Sequence, residues 1–277
     1  MAVRFIYTSP WLSTEVFWER MKRRHLAMWK FIESFIKLND TGKMRVIEVG
    51  GAAGDVSRWI KGRYVCIDRS PKMVALGQTR YPDARFILDD FTKMDTRQFQ
   101  PQNYGLVLAA GVIEHCPGYE VFIQRALDTD APIIVITFFR GLLWRENRIQ
   151  KVVSPDAVFY ENRYSGIRLT EFLDEMGLKY RLFTIAHNGK PKFSDVVPVI
   201  DSRQDQPDAW WDAIDALGLT VHGYCDEMRD EWEQAMALKD RQRAARERKA
   251  LLQSKKIATE ALLKTSNEST LDPFQPS

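Results

Sequence analysis

The sequence has few cysteines, little net charge and no long apolar run. Its three cysteines, Cys66, Cys116 and Cys225, are scattered along 277 residues. That excludes a disulfide framework or a zinc-ligand set, and it fits free, buried thiols in a reducing compartment. No apolar stretch approaches the ~20 residues of a membrane span, and the opening Met-Ala-Val-Arg-Phe lacks the apolar core of a signal peptide. These absences predict a cytoplasmic protein with no membrane partner. Lys plus Arg total 40 against 37 Asp plus Glu, a balance of only +3, so a chain that coats nucleic acid along its whole length is excluded. Apolar residues make up 45% and aromatics 12%, enough for a sizeable core and too many for a disordered chain.

Three regimes follow one another along the chain. In the first, Trp18, Met21, His25, Met28, Ile32 and Phe35 recur at steps of three and four and predict one buried helix face ending near Asn39. Ser13 or Thr14 with Glu15 would start that helix, with Arg20, Lys22, Arg23 and Lys30 on its opposite face. The stripe makes His25 a packing residue. From Met44 to about Val199, short Val- and Ile-rich runs alternate with helical stretches. Arg45–Val49, Tyr64–Asp68, Arg85–Leu88, Gly105–Ala110 and Ile133–Phe138 read as strands covered on both faces. Val56–Lys61, Pro71–Thr79, Tyr119–Leu127 and Leu169–Met176 read as helices. Such alternation predicts an α/β fold, a doubly wound, mostly parallel, Rossmann-like sheet. Gln204–Asp208 reads as a linker, and no Gly or Pro interrupts the helical stretch from Tyr224 to Lys264. The expected organisation is a helical leader over 1–40, a ligand-binding domain over 41–200, and a linker with a charged helical tail over 201–277.

Ligands of doubly wound sheets bind beyond the carboxyl ends of the strands, so the residues after each strand matter most. The first strand runs into Val46-Ile-Glu48-Val-Gly50-Gly51-Ala52-Ala53-Gly54-Asp55, an acid followed by a Gly-rich turn that lets a ligand approach the backbone closely. Asp68 ends the second strand, 20 residues after Glu48, where a carboxylate can accept both hydroxyls of a ribose. Leu88-Asp89-Asp90-Phe91 follows the third strand with an acid and an aromatic suited to adenine. A dinucleotide fingerprint would need glycine at Gly50, Ala52 and Asp55, and fails at two of the three.

Together with Leu106-Val-Leu-Ala-Ala-Gly-Val-Ile-Glu114-His115, these segments resemble class I S-adenosylmethionine-dependent methyltransferases in order and spacing. Within that class the chain looks most like the ubiquinone/menaquinone-biosynthesis-type group of small-molecule enzymes. Phe159-Tyr-Glu-Asn-Arg-Tyr164-Ser165, running into Leu169–Leu178, resembles that group's segment after the fifth strand. The resemblance covers roughly residues 44–185. It implies S-adenosylmethionine as cofactor, with Glu48, Gly50, Gly51 and Gly54 at its methionine end and Asp68, with Arg69 alongside, at the ribose. Asp90 and Phe91 would frame the adenine, and Ala110 and Gly111 would pass close to the sulfonium. His115 is the candidate catalytic base, with an ordinary pKa near ~6.5; the alternative is that it only shapes the pocket. Glu114 would cap the next helix or orient the loop. Asn162, Arg163 and Tyr164 are candidates on the acceptor side, and Trp11 and Trp144 could cover the pocket. Two positions depart from the pattern: Ala52 replaces the usual middle glycine, and Gly105 replaces the Asp that usually opens the fourth strand. No metal is implied.

The order Cys116-Pro117, with a preceding His, argues against the nucleophilic cysteine of cytosine-5 methyltransferases. The Asn/Asp-Pro-Pro-aromatic mark of exocyclic-amine methylation and the Lys-Asp-Lys-Glu set of ribose methylation are both missing. The reading is methyl transfer to an O, N or C atom of a small molecule. The alternative is a methyltransferase-fold subunit that acts on or binds RNA or a macromolecular assembly through its tail. Lys239–Lys256 carries a net +6, which leaves −3 for the rest. Over 226–264 that charge can serve as a solvated face, as a self-association surface paired with the acidic Asp226–Glu233 segment, or as a nucleic-acid contact. Its sparse apolar spacing disfavours a sustained coiled coil.

Overall fold

The computed structural model describes residues 19, 22–40, 42–139, 141–142, 146–154, 157–187, 190–217 and 221–223, and in the tail 237, 241–242, 244–248 and 253. The chain divides into two compact units, Met1–Tyr224 and Cys225–Ser277. In the first, α1 (Leu26–Asn39) leads into β1 (Val46–Val49), a 3-10 turn (Asp55–Trp59), β2 (Tyr64–Asp68), α2 (Pro71–Arg80) and β3 (Arg85–Leu88). A second 3-10 segment (Thr96–Gln102), β4 (Leu106–Ala109), a third (Ile113–His115), α3 (Tyr119–Leu127) and β5 (Ile133–Ile136) follow. Then come β6 (Lys151–Ser154), β7 (Ala157–Tyr160), α4 (Gly166–Glu175), β8 (Lys179–His187), β9 (Lys190–Asp201), α5 (Asp208–Asp215) and β10 (Val221–Gly223).

Eight strands form the main sheet in the order β3-β2-β1-β4-β5-β9-β8-β10, with β6 and β7 as a separate hairpin. The pairs among β1 to β5 are parallel, and β9, β8 and β10 add antiparallel strands at one side. The expected α/β, Rossmann-like architecture is what the chain adopts. β1 sits between β2 and β4, so the strand order reverses there and a crevice opens beyond the carboxyl ends of β1 and β4.

Burial explains the strands. Every residue of β1, β4 and β5 is buried, as continuous apolar runs covered on both faces require. β3 departs from that expectation: it is an edge strand, with Arg85 and Leu88 exposed. The leader stripe is real where it is described. Met28, Phe31, Ile32, Phe35 and Ile36 of α1 are buried, and Phe31 meets Phe183 of β8 at 5.4 Å between ring centroids. Trp11, Ser13, Thr14, Glu15, Trp18, Arg20 and Met21 lie outside the described residues, as do Trp144 and Cys225. Cys66 and Cys116 are free and buried.

The helix expected over Val56–Lys61 is instead the 3-10 turn Asp55–Trp59, closed by an extended Ile60. Gly62, between this turn and β2, passes so close to Met44 that a Cβ would lie 1.9 Å from its carbonyl oxygen. Ser70 caps α2 by accepting from the Met73 N–H at 3.4 Å, with Pro71 in its first turn. Ser165 caps α4 in the same way through Arg168.

Beyond Asp201 the sheet unit continues. α5 buries Trp211 and Ile214, Trp210 Nε1 donates to Asn39 Oδ1 at 2.6 Å, and β10 pairs with β8. In the second unit, the described residues are helical and exposed, Arg241, Arg246 and Arg248 among them; the rest of 226–264 lies outside the described residues. Among the described residues, no helix is long and apolar enough to cross a membrane, and no group of three His, Cys, Asp or Glu side chains could hold a metal ion.

Candidate functional site

The turn after β1 is built for close approach. Gly50 has φ +67, and a Cβ there would lie 2.4 Å from Val112, which follows β4. Gly51 leaves room for the Glu48 side chain, whose carboxyl carbon would lie 2.5 Å from an added Cβ. Gly54, at φ +73, faces the Phe86 ring and so shapes the turn from behind. Ala52 also sits in the left-handed region, at φ 51, a conformation that costs an L-residue about 1–2 kcal/mol. Ala52→Gly is therefore expected to stabilise the protein by about 0.5–1 kcal/mol after the extra chain entropy of glycine is subtracted. A higher urea midpoint at unchanged slope would show it; a lower midpoint would mean that the turn favours the methyl group.

The main cleft lies beyond β1, β2, β3 and β4, as the topology requires. Gly50, Asp68, Arg69, Asp90, Phe91, Gly111 and His115 line it, together with Ser70, Met73, Thr92, Val112, Cys116 and Phe139. Asp68 is held by two backbone donors: Ala52 N–H at 2.9 Å and Ser70 N–H at 2.7 Å. Burial pushes its carboxyl above the ordinary range, against the pull of those two donors. Asp90 is buried, but the Thr92 hydroxyl, Arg69 and Lys93 outweigh that burial and hold its carboxyl below the ordinary range. Phe91 is anchored by Phe122 at 5.1 Å. The Arg69 guanidinium lies 3.7 Å from Asp90 and donates to the His115 carbonyl at 3.3 Å. It thereby links the exits of β2, β3 and β4.

His115 ends the third 3-10 segment and lines the cleft. Its Nδ1 lies 2.7 Å from the Tyr160 carbonyl oxygen. A carbonyl only accepts, so Nδ1 carries the proton and the neutral ring has its lone pair on Nε2. Cys116 also lines the cleft, but burial pushes its thiol up to about 12, which removes it as a thiolate nucleophile at neutral pH.

Other expected residues lie elsewhere. Asn162 and Tyr164, expected on the acceptor side, are buried and brace the His115 loop from behind. Asn162 Nδ2 donates to the Cys116 carbonyl at 2.6 Å, and the Tyr164 hydroxyl lies 3.1 Å from the same oxygen. Arg163 between them pairs through its backbone with Arg148 and does not line the cleft. Ala110 is buried outside the cleft lining. Glu114 accepts from the Phe139 N–H, and so orients the loops after β4 and β5. Gly105 lies at the amino end of β4 beside Met44, so the missing acid there leaves the cleft intact.

Glu48 and Gly51 border a smaller recess shared with Lys22, Asp55 and Arg80. Glu48 is buried and accepts from the Tyr64 hydroxyl; burial pushes its carboxyl up to about 8. Lys22, expected on a solvated face, instead pairs with Asp55 and Glu19. The local sequence pattern gives no sign of this contact, or of Phe139 at the cleft; Phe139 is marked only by following a strand.

Residues 47–128 match the family model described as a methyltransferase domain. Among solved structures, the chain is similar to a protein assigned as an S-adenosylmethionine-dependent methyltransferase from Listeria monocytogenes, at 8% identity and a TM-score of 0.50 over 62% of this chain and 98% of that one. It is also similar to a chain in the complex of the Haloferax volcanii Trm112 methyltransferase activator with a methyltransferase, at 14% identity and a TM-score of 0.51 over 68% and 94%. At such identities the likeness is one of fold. No curated protein matches the chain. The motif-bearing turn and the acid-ended strands lie in or beside the segment, residues 47–128, that matches a methyltransferase domain, and the chain shares the fold of these solved structures.

Proposed function

We propose that the chain moves a methyl group from S-adenosylmethionine to an O, N or C atom of a small-molecule acceptor, with His115 as the base. The observation that carries this reading is one cleft lined by Asp68, Asp90 and Phe91 together with His115. The residues suit the cofactor. Asp68 presents a carboxylate at the end of β2, Asp90 and Phe91 flank the space beyond it, and Gly50 and Gly111 bring backbone to the cleft without side chains. S-adenosylmethionine supplies an electrophilic methyl group on a sulfonium when bound. The protein's part is alignment of the acceptor and removal of its proton. His115 suits the latter, because the Tyr160 carbonyl fixes the tautomer that leaves Nε2 basic. Asn162 and Tyr164 serve it as positioning residues through the Cys116 carbonyl.

The order of motifs over 44–185 supports placement in the ubiquinone/menaquinone-biosynthesis-type small-molecule group, and the low cysteine content and absent apolar runs support a cytoplasmic setting. The test is a methyl-transfer screen of the full chain against metabolite extracts and RNA in parallel. Methylation confined to small molecules supports the reading. Methylation confined to RNA, with binding that falls steeply with salt, would replace it with action on a macromolecule through the basic tail. Once an acceptor is found, His115→Asn is expected to lower turnover about 100-fold with S-adenosylhomocysteine affinity within about threefold of wild type, since His115 borders the cofactor residues without replacing any of them. Near-normal turnover would remove His115 as the base.

A further inference from the structure

Phe139 follows β5 and lines the cleft. Its ring lies against Gly111, where an added Cβ would sit 2.0 Å away. The other side of this contact is His25, whose ring stacks on Phe139 at 4.0 Å and 13°. His25 is only 3% exposed and precedes α1, and its Nδ1 lies 2.8 Å from Asp195 Oδ2 on β9. Asp195 is itself 1% exposed. Residues 170 positions apart thus form a buried pair whose ring face rests on a wall of the cleft.

Packing alone does not call for this arrangement. A histidine and an aspartate in an interior are costly to desolvate, and an apolar pair of similar volume would often serve stability as well or better. A stacked aromatic pair fixes the plane of both rings, and a carboxylate on Nδ1 fixes the plane of the imidazole. We propose that His25, oriented by Asp195, is a positioning residue that holds the Phe139 ring against Gly111 and so sets the shape of the cleft where cofactor and acceptor meet. This rests on the cofactor reading given above.

The stack and the hydrogen bond can be separated. His25→Asn retains a donor near the position of Nδ1 but has no ring. His25→Phe retains the ring but leaves the buried Asp195 carboxylate without this donor. Calorimetry with S-adenosylhomocysteine, alongside thermal melts, is expected to order the variants oppositely. His25→Phe should melt lower than His25→Asn, yet bind S-adenosylhomocysteine within about threefold of wild type, while His25→Asn binds about 10-fold more weakly. In a Phe139→Ala background, His25→Asn should add less than about twofold, because its effect passes through that ring. A purely structural His25 would make affinity follow melting temperature, or make the two substitutions multiply; either result overturns the proposal, as does unchanged affinity in His25→Asn. Failure of the wild-type protein itself to bind S-adenosylhomocysteine would instead overturn the cofactor reading, and the role of His25 with it.

Discussion

Asp68→Ala is expected to weaken S-adenosylhomocysteine binding by about 100-fold or more. A hydrogen bond to a charged group contributes about 1.5–3 kcal/mol, and a carboxylate at this position can accept from two ribose hydroxyls. The change also removes a brace. Asp68 accepts from Ala52 N–H in the strained turn and from Ser70 N–H before α2, so its loss loosens the backbone on two sides of the cleft. Asp68→Asn separates the effects: it keeps one oxygen acceptor but sets an NH2 against a backbone N–H. An intermediate loss of affinity is expected. The pH dependence has a definite sign. Burial raises the Asp68 carboxyl above the ordinary range, and protonation removes acceptor capacity, so affinity should decline on acidification earlier than for an ordinary aspartate. Calorimetry from neutral pH downward measures this. Equal affinity in wild type and Asp68→Ala would remove Asp68 from the site.

Much of this cleft is legible in the sequence because parallel strands expose the signal. β1, β2, β4 and β5 are short apolar runs buried on both faces, and the residues that follow them fall at the carboxyl edge whatever the helices between them do. Gly50, Asp68, Asp90, Phe91, Gly111 and His115 are found this way, and all six line the cleft. β8 and β9 are less legible. Pro191, Pro198 and the buried Asp195 interrupt the apolar pattern of β9, and prolines inside a run argue against a strand. What the run does not reveal is antiparallel pairing with β5 and β8, which holds Pro198 opposite Leu182. Asn162 and Tyr164 illustrate a second limit: their residue types suit acceptor contacts, and only burial shows that they turn inward to brace the His115 loop. The His25–Asp195 pair is beyond local reading altogether, since its partners meet only when the leader and β9 meet.

Glu48→Gln is expected to stabilise the protein increasingly as pH rises, by on the order of 4 kcal/mol near pH 9. Glu48 is 1% exposed beneath the Gly-rich turn. Burial dominates its environment, with the Tyr64 hydroxyl and Lys22 favouring the charged form and Asp55 and Asp68 opposing it; the result is a carboxyl pushed from 4.5 to about 8. Because the folded value lies above the unfolded one, the folded state holds the proton more tightly. Its contribution is therefore fully present below pH 4.5, where both states are protonated, and is lost between 4.5 and about 8, as the unfolded chain alone ionises. A glutamine keeps an oxygen for the Tyr64 hydroxyl and does not titrate. The difference in unfolding free energy between Glu48→Gln and wild type, measured in urea from pH 5 to 9, reports this carboxyl together with its coupling to Asp55, Asp68 and Lys22. A difference that grows with pH identifies a buried neutral acid. If Glu48 were instead held as a charged partner of Lys22, its folded value would lie below the unfolded one, and the glutamine variant would be the less stable protein throughout the neutral range.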